Sequence, residues 1–254
     1  MPQPLTMKEL ETSLESGEPL KERDLSGIEW QDLEALDLVL EACVAKDLTI
    51  ANCDLEGLTL RNCELINCTL TSTSLKEARI EKTRLTNKSE HKGTTFKYCN
   101  LEKSAWSESD FSFSAFGGCE LFAMTMEKCH GRATSFSDSR FSRRLSQTRS
   151  MTELEIKDTN LESALFFGME LDGIKIEDSN LRLAVFEEAN LASATLLGCN
   201  LQEAEFRGAN LSGANLGGSK LTGLDLRTLG AYDDLMISQS QCADLVAEMG
   251  VLII

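Results

Sequence analysis

The sequence has little of what most enzyme sites are built from. Its 254 residues include two histidines and three prolines, and aromatic residues make up 6%. Two histidines leave little material for a catalytic triad or an imidazole metal site. No P-loop, dinucleotide-binding glycine pattern or nucleophile elbow occurs in the sequence. We therefore expect no catalytic activity, no cofactor and no bound metal.

Long apolar runs and an excess of positive charge are also missing. No segment approaches the roughly 18 apolar residues needed to cross a bilayer, and the N-terminus is acidic where a secretory signal would be basic and then apolar. Lys and Arg total 25 against 41 Asp and Glu, a formal net charge of −16. This charge repels nucleic-acid phosphates and anionic lipids. We expect a cytoplasmic protein that binds neither membranes nor nucleic acid directly.

What the sequence has instead is a period of five. Apolar residues recur at every fifth position from Leu25 to Leu85, the rhythm slips by one residue, and it resumes from Phe96 to Leu226. Helices repeat near 3.6 residues and strands at 2, so neither explains this period. A small side chain stands two residues before most of these positions. The pattern predicts one large and one small inward side chain in each unit.

The cysteines follow the same period. Eight of the nine, all but Cys242, occupy the small inward position. Their spacing could indicate a metal site or a disulfide framework, but the phase favours buried, reduced thiols that pack as small apolar residues. His91 lies at the phase slip and His130 at an outward position, and we interpret both as surface residues.

The best-formed units, CNLQEAEFRGANLSGANL, resemble the pentapeptide-repeat family, A(D/N)Lxx, and the resemblance covers about residues 24–228. It implies an all-β solenoid, a right-handed quadrilateral β-helix with four units per coil and about ten coils. Residues 20 apart should then stack, and their types match. One expected ladder passes from Leu101, Leu121 and Phe141 to Leu161, and two separate phenylalanine ladders start at Phe96 and Phe166.

Three segments are expected along the chain: a helical cap at 1–23, the β-helix at 24–228 and a C-terminal helix and apolar strand at 229–254. Thr6 and Glu9 fit a capping box, Gly17 can end the first helix, and Ser240 can cap the second. The β-helix should be interrupted near 86–95 and 142–150. The C-terminal segment is either a cap or a dimer seam, and we favour a homodimer through Met236, Ile237, Leu245, Met249, Val251 and Leu252.

Charge is unevenly distributed along the chain. Residues 1–85 carry 9 basic and 17 acidic side chains, residues 86–150 carry 10 and 7, and residues 151–254 carry 6 and 17. The last segment is therefore strongly acidic, whereas the middle is basic. Because surface charge steers partners, we predict two electrostatically distinct docking surfaces. The carboxylate pair at Glu187 and Glu188 could act in acid/base chemistry, but on a repeat surface it is more often solvated charge.

An acidic pentapeptide rod with this C-terminus is similar to the Qnr and MfpA group. Those proteins resemble duplex DNA in shape and charge, bind bacterial DNA gyrase or topoisomerase IV, and counter quinolones or gyrase poisons. The resemblance implies a partner of that kind and a DNA-mimicking role. The candidate partner-binding residues are Glu170, Asp172, Glu177, Asp178, Glu187, Glu188, Glu203, Glu205, Arg140, Arg143, Arg144 and Arg149.

An alternative function rests on the opening residues GEPLKERDLSGIEW. This stretch is similar to the start of pentapeptide arrays associated with bacterial type VI secretion. The protein would then be a scaffold or adaptor that holds a secretion component or an effector.

Overall fold

Backbone geometry explains the period of five. The computed structural model describes residues 2–145, 150–248 and 250. The residue two places after each inward apolar side chain commonly has a left-handed backbone, as at Asp32, Asn52 and Gly213 with φ of 54°, 54° and 68°. Aspartate, asparagine and glycine adopt this conformation more readily than other residues. Each unit therefore ends in a corner and forms one side of a coil.

Successive coils stack in parallel. Residues 20 apart pair directly, as Leu40 pairs with Leu60 and Ile176 with Leu196, so four units complete one turn. The result is a parallel β-solenoid of about nine turns, which confirms the expected fold class and is close to the expected ten coils. We number its sides 1 to 4 in chain order, from the sides that carry Leu25, Trp30, Ala35 and Leu40.

Three sides carry hydrogen-bonded sheets, and side 3 is held by isolated bridges. Side 4 has nine strands: Leu20–Lys21, Val39–Glu41, Thr59–Arg61, Arg79–Glu81, Ala105–Ser107, Met124–Glu127, Leu154–Lys157, Lys175–Glu177 and Thr195–Leu197. Side 2 has five: Trp30–Gln31, Thr49–Ala51, Thr69–Thr71, Thr95–Lys97 and Ala115–Gly117. Side 1 has four: Gln3–Pro4, Arg23–Asp24, Val44–Lys46 and Glu64–Ile66.

Two antiparallel hairpins leave the coil. Hairpin 1 pairs Thr86–Asn87 with Lys92–Gly93, and the coils around it pair residues 26 apart, so it adds six residues rather than the single residue that the phase slip suggests. Hairpin 2 pairs Ser142–Arg144 with Ser150–Thr152. Strands around hairpin 2 pair residues 30 apart, so it adds ten residues, which are two whole units.

Hairpin 2 changes which residues stack. The expected step from Phe141 to Leu161 is wrong. The ten residues of hairpin 2 equal two whole units, so the five-residue phase continues after it, but each later unit lies two sides away from where an uninterrupted coil would place it. Phe136 stacks instead on Phe166, with ring centroids 5.1 Å apart. The two expected phenylalanine ladders are therefore one, running through Phe96, Phe116, Phe136, Phe166, Phe186 and Phe206 with centroid separations of 4.7 to 5.2 Å.

Both ends carry helices. Helix α1 (Met7–Ser16) has the expected capping box between Thr6 and Glu9 and ends at Gly17 with φ 70°. Near the other end, the 3₁₀ helices Leu226–Thr228 and Gln239–Gln241 precede helix α2 (Cys242–Glu248). Ser238, not Ser240, forms the capping box there, because Gln241 three residues later completes it. None of the helices in the described ranges is long and apolar enough to cross a membrane.

Candidate protein-binding surfaces

Outward charges form ladders because residues 20 apart are aligned. On side 4, Glu41 bridges Lys21 at 2.8 Å and Arg61 at 3.5 Å, and Arg61 continues to Glu81 at 3.1 Å. The hydrogen bond from Lys21 holds the pKa of Glu41 below its usual value. Exposed pairs of this kind contribute little individually. They do, however, neutralise part of the surface locally.

The thiols lie inside the rod. Eight cysteines are buried and free and Cys242 is exposed, which confirms the assignment from the repeat phase. Burial raises the pKa of Cys68, Cys129 and Cys199 to about 11, so these thiols stay protonated and are poor nucleophiles and ligands. Among the described residues, no group of three or more His, Cys, Asp or Glu side chains is placed to hold a metal ion.

The predicted acidic contact residues are divided among the sides of the rod. Glu170 and Asp172 flank Leu171 on side 3, and Glu177 and Asp178 follow Ile176 on side 4. Some also bond within the chain: Asn190 Nδ2 donates to Glu170 at 2.9 Å and Thr152 Oγ1 to Asp172 at 2.8 Å. These four carboxylates therefore do not form one surface.

The structure does gather a second acidic set at the C-terminal end of side 2. Glu187, Glu203 and Glu205 line one shallow groove together with Asp225 and Arg207, and we call this the acidic groove. Among the described residues that line the groove, Arg207 is the one basic side chain, and it lies 3.7 Å from Glu187. Two arginines beside the groove also pair with its carboxylates, Arg182 with Glu203 at 3.5 Å and Arg227 with Asp225 at 2.8 Å. Glu188 is exposed at the adjacent corner. Of the predicted acidic contacts, Glu187, Glu203 and Glu205 are brought together in this groove.

Two of the four predicted basic contacts are engaged within the chain. Arg140 pairs with Glu120 on side 3. Arg143, in hairpin 2, donates to Glu102 at 2.6 Å and lies over the Phe122 ring at 4.8 Å from its centroid. Arg144 belongs to the same hairpin strand, and Arg149 lies outside the described residues. Hairpin 2 therefore packs against side 3 of the rod.

Hairpin 1 packs in a similar way against the opposite side. Lys88 Nζ lies 2.9 Å from Asp110 Oδ2, and the His91 ring meets Phe113 edge-on at 5.2 Å. His130 is exposed. The two hairpins thus leave the coil next to different sides and add surface that the regular coils lack.

The predicted dimer seam is only partly available on the surface. Met236 is 50% exposed and Ile237 is half-buried, whereas Leu245 is 4% exposed and packs in the core of its own chain. The Leu245 side chain is therefore inaccessible to a partner in this structure. Met249, Val251 and Leu252 lie outside the described residues.

Sequence reasoning missed one surface, the exposed apolar residues on the outside of side 2. Tyr98 is 72% exposed, Phe167 59% and Leu165 44%. The five-residue pattern marks only inward positions, and apolar residues at outward positions are the signal that could have found this surface.

Comparison with known proteins supports the same fold. The Pentapeptide repeats family model matches eight copies of its repeat, at residues 51–87 and 184–223. A trypsin-treated variant of QnrB1, a plasmid-mediated fluoroquinolone resistance protein, is 18% identical with a TM-score of 0.73, over 87% of this chain and 100% of that one. Full-length QnrB1 is 18% identical with a TM-score of 0.67, over 82% and 100%. At these identities the likeness concerns the fold.

HetL from the cyanobacterium Nostoc, a pentapeptide repeat protein involved in regulating heterocyst differentiation, is 19% identical over 91% of this chain and 94% of its own. Its TM-score of 0.39 is too low to add to the argument. No curated relative matches the chain at the sequence level. With eight matched repeats in two separate segments and the same coil running between them, the chain contains pentapeptide repeats and has the fold of pentapeptide-repeat proteins.

Proposed function

We propose that this protein is a non-enzymatic, protein-binding solenoid that acts as a DNA mimic toward a bacterial type II topoisomerase, DNA gyrase or topoisomerase IV. The fold shared with QnrB1 and the resemblance of the acidic rod to the Qnr and MfpA group support this class of partner. The protein would modulate the topoisomerase or protect it from quinolones.

Linear charge density carries the proposal. Residues 153–234 hold 15 acidic and 6 basic side chains, a net charge of −9. These residues form about four coils at about 5 Å each, so the rod carries one net negative charge per roughly 2 Å. Duplex DNA carries one per about 1.7 Å. The two densities are close enough for a DNA-binding saddle to attract the rod electrostatically.

Within the rod, the acidic groove is the proposed contact. It combines Glu187, Glu203, Glu205 and Asp225 on one face, whereas four other predicted carboxylates, Glu170, Asp172, Glu177 and Asp178, are divided between sides 3 and 4. Basic side chains of a saddle could pair with several of these groups at once. Hairpin 2 would contact the enzyme outside the saddle.

The test is a gyrase supercoiling assay with and without a quinolone. A triple variant, Glu187→Gln, Glu203→Gln and Glu205→Gln, removes three charges from the acidic groove and should lose most of the effect. The matched control, Glu22→Gln, Glu29→Gln and Glu34→Gln, removes three exposed charges from the N-terminal coils and should keep it. If wild-type protein leaves supercoiling unchanged under both conditions, the topoisomerase proposal is wrong.

The scaffold hypothesis predicts a different outcome. A pull-down from a type VI secretion strain would return a secretion component, and gyrase would be unaffected. That hypothesis stays a prediction from the N-terminal resemblance.

A further inference from the structure

Side 2 carries an uncharged stretch on its outer surface. Two outward positions flank each buried phenylalanine, one before it and one after it. Between Lys97 and Glu187 these positions hold only uncharged residues: Ala115, Gly117, Ser135, Ser137, Leu165, Phe167 and Val185. Leu165 and Phe167 are 44% and 59% exposed. An exposed apolar patch with charged ends is typical of an interaction surface.

The register arranges these residues in two columns along the rod. The positions before phenylalanine form one column, bridged in the order Ala115, Ser135, Leu165 and Val185. The positions after it form the second column. Lys97 pairs with Gly117 in this column, and the next members along the rod are Ser137, Phe167 and Glu187. Adjacent members are separated by the coil rise of about 5 Å.

Each column is complementary to a second copy of the same column that runs in the opposite direction. Reversal about Ser137 places Lys97 opposite Glu187 and Gly117 opposite Phe167. Reversal about Ser135 places Ala115 opposite Leu165 in the same way, and Thr95 opposite Val185. Small side chains therefore meet large ones, and a cation meets a carboxylate, as shape and charge complementarity require.

A two-fold axis performs this reversal. The axis lies between two copies, level with Phe136 and parallel to the strands. Each column of one copy therefore faces the same column of the other copy, which runs in the opposite direction. Two-fold interfaces use the same surface on both subunits. At the corner beside the columns, the 72% exposed Tyr98 then faces Glu188, to which its hydroxyl can donate. Every contact occurs twice.

We infer that side 2 is the interface of an antiparallel homodimer of this chain. The five coils from Phe96 to Phe186 cover roughly 25 Å by 12 Å on this side, or about 300 Å² per copy. This area is at the low end for specific interfaces, so the dimer is weak and reversible, with dissociation in the micromolar range. The inference does not rest on the proposed topoisomerase partner, but both surfaces include Glu187, so the dimer and the partner complex exclude each other.

Charge reversal followed by analytical ultracentrifugation tests the interface. Lys97→Glu sets two carboxylates against each other at both ends of the dimer and should raise the dissociation constant about tenfold. The double variant Lys97→Glu with Glu187→Lys exchanges the two charges and should restore wild-type association. Asp138, an exposed corner residue, meets its own copy at the axis, so Asp138→Asn should tighten the dimer.

Cross-linking provides an independent measurement. Ser137 of the two copies face each other, so Ser137→Cys should give a dimer with a short bismaleimide. The background is Cys242→Ser, because Cys242 is the exposed cysteine of the described chain. The matched control, Ser107→Cys, occupies the same position in its unit on side 4 and should give no cross-linked dimer.

Three results would overturn the inference. They are a wild-type protein that stays monomeric through the high-micromolar range, association that Lys97→Glu does not weaken, and cross-linking of the Ser107→Cys control as efficient as that of Ser137→Cys. Association lost in Met236→Asp but kept in Lys97→Glu would assign the dimer to the C-terminal seam instead.

Discussion

The small inward residue of each unit has a hydrogen-bonding role as well as a packing role. The buried backbone N–H of Thr83 donates to Ser109 Oγ at 3.0 Å, and Ser109 Oγ donates in turn to the Ser107 carbonyl at 2.8 Å. Where alanine occupies the position, the N–H bonds differently, as Ala164 N–H donates to the Leu161 carbonyl at 3.0 Å. Ser114 N–H likewise donates to the Phe111 carbonyl at 3.1 Å, so the hydroxyl matters only at the first kind of corner.

Ser109→Ala should destabilise the protein by about 1–3 kcal/mol, because the buried N–H of Thr83 loses its acceptor. Ser114→Ala is the matched control: Ser114 is also buried, at 1% exposure, but its hydroxyl has no hydrogen-bond partner among the described residues. Its removal should leave stability unchanged or raise it. Urea unfolding of both variants checks the pair, and equal losses would contradict the proposed role of the hydroxyl.

The inward assignment of the phenylalanines is tested at Phe186. This ring is fully buried between Phe166 and Phe206, at centroid distances of 5.0 and 5.1 Å. Phe186→Asp places an unpaired charge inside the rod and should cost more than about 4 kcal/mol, enough to abolish folding. Phe167→Asp should fold normally, because Phe167 directly follows the buried Phe166 but is 59% exposed. Circular dichroism distinguishes them, and a folded Phe186→Asp protein would refute the assignment.

At the scale of the element, the sequence predicted which residues face inward better than it predicted which residues stack on each other. The five-residue period identified the inward residues on both sides of hairpin 2, since ten added residues leave that period unchanged. For the same reason the five-residue period does not reveal the insertion, because it cannot show whether two units lie in the coil or in a loop outside it. The expected step from Phe141 to Leu161 failed for this reason. The local signal in the sequence is that the five-residue count assigns Arg144 and Arg149 to small inward positions, where an unpaired charge is unfavourable.

Deletion of residues 143–152 should leave the solenoid intact. Glu153 already completes the corner, since its N–H donates to the Phe141 carbonyl and its carbonyl accepts from Ala123. Joining Ser142 to Glu153 removes the ten extra residues and retains the pairing of Met124 with Leu154. Deletion loses the contacts of Arg143 with Glu102 and with Phe122, which is 5% exposed. The shorter loop lowers the entropic cost, so the change should stay within about 2 kcal/mol.

Urea unfolding and circular dichroism of this deletion variant give the measurement. A variant that loses its β signal would show that hairpin 2 is part of the folding core. A folded variant can also be used in the supercoiling assay, where its effect would report whether hairpin 2 contacts the partner.

For the whole molecule, composition predicted the net charge but not its arrangement. The acidity of residues 151–254 could be counted directly. Which carboxylates share a face depends on the number of residues in every preceding coil, including those expelled in the two hairpins. Glu187, Glu203 and Glu205 therefore meet in one groove, whereas Glu170 and Glu177 lie on sides 3 and 4.

The net charge also governs how the rod responds to salt. Most ion pairs here are exposed and individually worth at most about 1 kcal/mol, while a net charge of −16 destabilises the folded state by self-repulsion. That repulsion acts over distances comparable to the Debye length, about 10 Å at 0.1 M salt, and is screened more effectively than pairs at about 3 Å. The melting temperature should therefore rise as sodium chloride is increased.

Thermal unfolding over a sodium chloride series measures this effect, and chloride is preferred because sulfate strengthens apolar burial independently. The variant with Glu187→Gln, Glu203→Gln and Glu205→Gln removes three negative charges and should show a smaller rise. A melting temperature that falls with salt would mean that the ion-pair ladders outweigh the repulsion. In that case charge density alone could not account for the rod as a DNA mimic, because its surface would be effectively neutralised by its own lysines and arginines.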